Sequence, residues 1–315
     1  MNAATSRISS PSPAASEPWR SLYPFESRWL ETGGQRYHFV DEGRGIPLLF
    51  VHGNPTWSFL WRNLIRDFRD QFRTVAVDHI GCGLSDKPLE YDYSLTQHSA
   101  NLVQLIDHLD LRNITLVVHD WGGPIGTWAA LQRPERIARL VFLNTGTFPP
   151  PYIPWRIRVC RLPVVGQWAV QRHNLFARAA QWMALHNRRL VTSQALAGLI
   201  APYDSWQHRV AIHRFVMDIP ASPRHRTWQQ LLQLEQQLPS LSDRPALCVW
   251  GMRDWCFRPD CLQKLIDIFP RARVHRLPQA GHWVTEEAPD RVRLIMNTFL
   301  TQTDPAQTNR LEPHG

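Results

Sequence analysis

Polar and apolar positions alternate from Gly33 to Gly43 (GGQRYHFVDEG), the period-two pattern of a half-buried hairpin strand. Pro47–Val51 (PLLFV) is an unbroken apolar run, as a strand covered on both faces requires. Helical spacing follows over Trp57–Phe68, then a strand over Arg73–Asp78 and a helix over Leu95–Leu109. A second apolar strand, Ile114–Asp120, leads to a helix over Pro124–Gln132 and a strand over Leu140–Leu143. Further on come a strand at Ala246–Trp250, a helix at Asp260–Phe269, a strand at Arg273–Leu277 and a closing helix at Asp290–Leu300. Strands alternating with helices predict an α/β protein with a mostly parallel, doubly wound sheet.

Between about Phe148 and Arg224 the alternation stops, and Pro-punctuated helical segments dense in aromatics take its place. The pattern predicts a core built from residues 21–147 and 225–302 and a helical cap over 148–224. Residues 1–20, rich in Ser, Pro and Ala, read as a disordered leader, and 303–315 as a loose polar tail. The leader lacks the apolar core of a secretory signal, and no apolar run is long enough to cross a bilayer. The expected location is cytoplasmic.

Five scattered cysteines form no Cys-x-x-Cys pair and no metal-ligand grid. They read as free thiols in a reducing compartment, and no metal or cofactor is implied. The net charge of +8 raises the question of nucleic acid. Lysine occurs only at Lys87 and Lys264, so 33 of the 35 basic residues are arginine, spread along the chain without a nucleic-acid motif. No nucleic-acid partner is expected. One bias stands out: no Asp or Glu occurs between Arg136 and Tyr203. Within that window Arg156, Arg158, Arg161, Arg172, Arg178, Arg188 and Arg189 interleave with Trp155, Trp168, Phe176 and Trp182. A solvated helical face over an apolar one accounts for this, and so does a docking face for an anionic membrane surface or an acidic partner.

The chemistry centres on Asp120. The stretch ITLVVHDWGG (114–123) runs from an apolar strand through a sharp turn into a helix, the setting in which a nucleophile is exposed above a sheet. A carboxylate is already anionic at neutral pH, and suits displacement at an sp³ carbon better than attack on an ester or amide. In an open α/β sheet, functional groups gather at the carboxyl ends of the strands. Three other ends supply His52-Gly53-Asn54-Pro55, Arg253-Asp254 and Gly281-His282. The acid falls to Asp254, because Asn144-Thr145 at the other suitable strand end carry no carboxylate. In this reading Asp120 attacks carbon, His282 activates water on the resulting ester, and Asp254 orients the imidazole. Asn54 and Trp121 offer N–H donors to the departing anion.

At these residues the chain resembles the haloalkane dehalogenases, over roughly Ser21 to Leu300. The segments carrying the resemblance are HGNPTWSFLWR (52–62), DHIGCGLSDKP (78–88) and the Asp120 elbow. It implies the α/β-hydrolase fold with an inserted cap. The late acid and the Asn–Trp halide pair resemble the family's third subfamily. Val118 departs from the generic elbow, where glycine is usual. A second resemblance, to the β-lactone decarboxylases of bacterial long-chain olefin synthesis, is carried by APYDSW (201–206), RFVMDIP (214–220) and WGMRDWCF (250–257). The activity implied first is hydrolytic dehalogenation, Asp120 displacing halide and His282-activated water releasing a primary alcohol. The alternative is β-lactone decarboxylation to an alkene and CO₂ by the same five residues. Epoxide hydrolysis fits less well, since only Tyr152 and Tyr203 are available in the cap to assist an alkoxide. The implied partner is a small hydrophobic substrate, and either a homo-oligomer or an assembly with pathway enzymes is compatible with these features.

Overall fold

The computed structural model describes residues 17–303. Its eight strands are β1 (Arg28–Thr32), β2 (Gln35–Glu42), β3 (Pro47–Val51), β4 (Arg73–Val77), β5 (Ile114–Asp120), β6 (Ile137–Thr145), β7 (Ala246–Gly251) and β8 (Arg273–Leu277). They form one sheet in the order β1-β2-β4-β3-β5-β6-β7-β8. The β1–β2 and β2–β4 pairs are antiparallel, and every pair from β4 to β8 is parallel.

The unbroken apolar strands have a direct cause. Leu49, Val51, Leu116 and Val118 pack on one face of the sheet, with Leu48, Phe50 and Val117 on the other. The first face is covered by α2 (Leu95–His108) and α3 (Gly122–Gln132), the second by α1 (Arg62–Phe68). Each side chain of these strands therefore meets a core, and the two apolar clusters sandwich the sheet.

Between β6 and β7 the chain builds the cap from α4 (Trp155–Cys160), α5 (Leu175–Met183), α6 (Ser193–Ile200) and α7 (Val210–Asp218). It returns through α8 (Arg226–Gln237); α9 (Pro259–Ile268) and α10 (Pro289–Gln302) follow later. Residues 148–224 contain no strand. Among the described residues no helix is long and apolar enough to cross a membrane, and no cluster of side chains suits a metal ion.

Three expectations need correcting. Regular structure starts before residue 21: Pro18–Leu22 is a 3₁₀ helix, and buried Trp19 meets the rings of Trp57 at 5.5 Å and Phe59 at 5.9 Å edge-on. The rest of the expected leader, 1–16, and the tail from 304 lie outside the described residues. The hairpin strand has an edge partner, β1, which its largely exposed side chains hid. The segment 57–68 splits into a 3₁₀ turn, Ser58–Trp61, followed by α1.

Candidate active site

Asp120 ends β5 with φ +53°, a left-handed conformation that the tight strand–helix turn imposes. The turn works because α3 can lie close to the sheet. A β-carbon at Gly122 would fall 2.0 Å from the carbonyl oxygen of Val51, so only glycine fits there. The unusual Val118 is accommodated across the same interface. A β-carbon at Gly126 would lie 2.8 Å from Val118 Cγ1, so the glycine missing from the strand is made up on the helix.

The structure joins three of the five candidate residues by their side chains. His282 Nδ1 lies 2.8 Å from Asp254 Oδ2, and its Nε2 lies 3.6 Å from Asp120 Oδ2. The other Asp120 oxygen, Oδ1, accepts the backbone N–H of Asn54 at 2.8 Å. All three titrating groups are buried, Asp120 being 7% exposed. Burial pushes the Asp120 carboxyl above its ordinary value, against the opposing pull of His282 and of the Asn54 and Trp121 N–H groups. At His282 burial disfavours the charged ring. Asp254, through charge and hydrogen bond, and then Asp120 outweigh it, so the imidazole is raised above 6.5.

Asp120 and Trp121 open onto a cleft enclosing about 700 Å³, part of it open to solvent. Its wall runs through Phe148, Ile157, Leu231 and Phe257 to the exposed Pro151. The polar groups on this wall are quiet. Tyr152 donates its hydroxyl to the Cys256 carbonyl at 2.5 Å, and burial followed by the Asp254 and Asp120 charges holds the Cys256 thiol neutral. The Asn54 backbone N–H and the His282 imidazole both meet Asp120, which lines the cleft. The Asn54 amide donates one N–H to the Ile212 carbonyl at 3.2 Å, which commits one of its two N–H groups.

Two positioning residues were missed by sequence reasoning. Asn144, with φ +33° at the end of β6, donates to Asp254 Oδ2 at 2.9 Å and accepts the Gly251 N–H at 2.7 Å. Buried Glu287 accepts the N–H groups of Gly281 at 2.5 Å and Asn187 at 2.6 Å, tying the histidine loop to the cap. The strand-end position of Asn144 was visible, but it was read only as lacking a carboxylate. Glu287 carried no signal beyond two acids close behind His282.

Chemically, the arrangement is an anionic carboxylate in an apolar cleft, backed by a histidine–aspartate pair. Among the described residues lining the cleft, Asp120 is the one side-chain carboxyl. Tyr203, the other cap tyrosine, is buried and donates to the Thr56 carbonyl at 3.1 Å. With both tyrosines committed to backbone carbonyls, the device expected for opening an epoxide is absent among the described residues.

A family model described as the alpha/beta hydrolase fold matches residues 46–289. The chain is 39% identical over 294 residues to a cis-3-alkyl-4-alkyloxetan-2-one decarboxylase of Shewanella oneidensis, covering 91% of this chain and 92% of the relative. It is 37% identical over 280 residues to haloalkane dehalogenase 2 of Mycobacterium tuberculosis, covering 86% and 93%. The solved structure of the haloalkane dehalogenase DatA from Agrobacterium tumefaciens C58 superposes with a TM-score of 0.81 at 27% identity, covering 89% of this chain and 97% of that one. The chain is therefore an enzyme of the α/β-hydrolase fold family, with haloalkane dehalogenases and oxetanone decarboxylases among its relatives.

Proposed function

We propose that the enzyme decarboxylates β-lactones that carry alkyl groups on both ring carbons. The cleft carries this reading. From Asp120 to Pro151 it presents apolar wall and, among the described residues, no side-chain carboxyl besides Asp120, which suits two hydrocarbon chains flanking a compact ring. The substrate class in the name of the Shewanella relative fits that shape.

In this reading an Asp120 carboxylate oxygen attacks the sp³ ring carbon that bears the ring oxygen. That carbon–oxygen bond breaks, its electrons pass to the oxygen, and a carboxylate is released beside the new alkyl ester. The bond to the carboxylate carbon then breaks. Its electrons form the double bond while the ester carbon–oxygen bond returns its pair to Asp120. CO₂, alkene and the original carboxylate result, with no water and no proton consumed. Inversion followed by anti elimination turns a cis-lactone into a cis-alkene. Trp121 and the second Asn54 amide N–H hold the released carboxylate. His282, raised by Asp254, faces Asp120 as it is expelled.

The second reading, dehalogenation, is favoured by the same Asp–Trp–Asn set and by the dehalogenase relatives. It uses the ester in the other way, with His282 activating water against the ester carbonyl. Assays on the purified enzyme separate the two. A cis-dialkyl β-lactone giving alkene and CO₂ supports the proposal. Inertness to the lactone, with bromide and alcohol released from 1-bromobutane, overturns it.

A further inference from the structure

The chain exposes apolar surface in one place above all. Among the described residues, nine of the fourteen large exposed apolar side chains fall between Trp155 and Leu190: Trp155, Val159, Leu162, Val164, Val165, Trp168, Leu175, Trp182 and Leu190. This concentration sits in the window without a single Asp or Glu.

The spacing puts these residues on continuous faces. Trp155, Val159 and Leu162 recur at helical intervals along and just beyond α4, and Leu175, Arg178 and Trp182 form one exposed stripe on α5. Between the two stripes in the chain lies a tip, Leu162-Pro163-Val164-Val165, exposed at all four residues. Val164 is 80% exposed and adopts φ +63°, ψ −55°, closed by a Val165 N–H to Pro163 carbonyl bond of 2.6 Å. This is a tight γ-turn, a costly backbone for a β-branched residue that packs against almost nothing.

The tip is held rather than slack. Arg161, just before it, donates to the carbonyls of Val216 at 2.7 Å and Met217 at 2.9 Å at the end of α7. Behind it Gly166 lies so near Cys160 that a β-carbon would fall 2.0 Å from the Cys160 carbonyl oxygen. The same acid-free window carries exposed Arg156, Arg158, Arg172, Arg178 and Arg189, none paired with a carboxylate among the described residues. Arg156 also lies over the rings of Trp155 and Trp255. The outer face of α4 is thus apolar and cationic. Its inner side contributes Ile157 to the cleft, whose rim, Pro151–Pro154, runs directly into Trp155.

We infer that this face of the cap docks on an anionic lipid bilayer, with the Leu162–Val165 tip inserted and the arginines on the headgroups, so that the cleft opens beside the hydrocarbon. Apolar tip, interfacial tryptophans and cationic side chains are the combination that binds peripheral proteins to charged membranes. The placement of the cleft mouth gives the surface its use: an apolar substrate passes from bilayer to Asp120 without crossing water. The inference holds whichever anion leaves in the reaction.

The test is co-sedimentation of the full-length enzyme with phosphatidylcholine vesicles, with and without phosphatidylglycerol. The expected result is binding that requires phosphatidylglycerol and weakens with salt. Leu162→Glu with Val164→Glu, and separately Arg172→Glu with Arg178→Glu, should each weaken it at least about tenfold. Circular dichroism of each variant confirms that the fold is retained. Failure of the folded wild-type enzyme to bind, equal binding to neutral vesicles, or binding that survives both pairs of substitutions overturns the inference. So does a dimer in vesicle-free buffer that the Leu162/Val164 pair dissolves and that vesicles do not compete with, which assigns the face to a second copy of the chain.

Discussion

Asn144 and His282 share one oxygen of Asp254: the Asn144 amide donates to Oδ2 at 2.9 Å, and His282 Nδ1 meets the same atom at 2.8 Å. The Cys256 N–H occupies Oδ1 at 2.7 Å. Asp254 is thus fixed before the imidazole reaches it. Asn144→Ala removes one donor and leaves the buried Gly251 N–H without its acceptor, a loss of about 1–3 kcal/mol in stability. A shift of the acid moves the imidazole relative to Asp120, so turnover should fall by up to about 10²-fold. Because Asn144 touches no substrate, kcat should carry the loss with KM little changed. A loss confined to KM would mean that Asn144 acts on substrate binding and not through Asp254.

Val118 and Gly126 have exchanged sizes across the strand–helix contact, and the exchange is testable. Gly126→Ala places a methyl 2.8 Å from Val118 Cγ1 and should cost about 1–3 kcal/mol by overpacking. Val118→Ala in the same chain should restore most of it. Denaturant unfolding of the two single variants and the double variant measures the coupling. Additive losses would mean that the two side chains do not compete for one space.

Asp120 should cost the fold stability at neutral pH. Its carboxyl is raised above 3.8 in the folded protein, so the contribution of this group is favourable below the unfolded value and is lost as pH rises through the folded one. Asp120→Asn keeps a residue tolerant of left-handed backbone and removes the buried charge. Calorimetry should find the variant inactive and higher-melting near neutrality, the gap closing as pH falls toward about 4. A variant that melts lower throughout contradicts this.

The pH profile separates the two uses of the ester. Water activation needs neutral His282, whose pKa is raised above 6.5. Alcohol formation from a haloalkane should therefore fall off as pH drops through a value above 6.5. Alkene formation from a lactone needs only ionised Asp120 and should persist to lower pH. Profiles of kcat for both substrates check this. A shared acid limb would mean that lactone turnover also depends on neutral His282.

The fold was legible where burial is two-sided. Strands such as PLLFV and ITLVV are continuous apolar runs because both faces meet helices, and the structure brings Asp120, at the end of the second, together with Asp254 and His282. β1 was not legible, since an edge strand with exposed side chains carries no such run. Trp19 was hidden in a Ser/Pro-rich stretch, although it packs into the core. Asn144 and Glu287 act through contacts to residues 110 and 100 positions away, which local patterning cannot reveal. The quiet state of Tyr152 and Tyr203 depends likewise on which carbonyls they meet in three dimensions.

The most direct test follows the oxygen atoms of Asp120. The enzyme is allowed many turnovers of a cis-dialkyl β-lactone in water enriched in oxygen-18, and the peptide containing Asp120 is then weighed by mass spectrometry. If the ester is resolved by expelling Asp120 from carbon, the product is cis-alkene and the Asp120 carboxylate stays unlabelled. A hydroxy acid product together with heavy oxygen in Asp120 would show that water attacks the ester carbonyl, and would contradict the proposal.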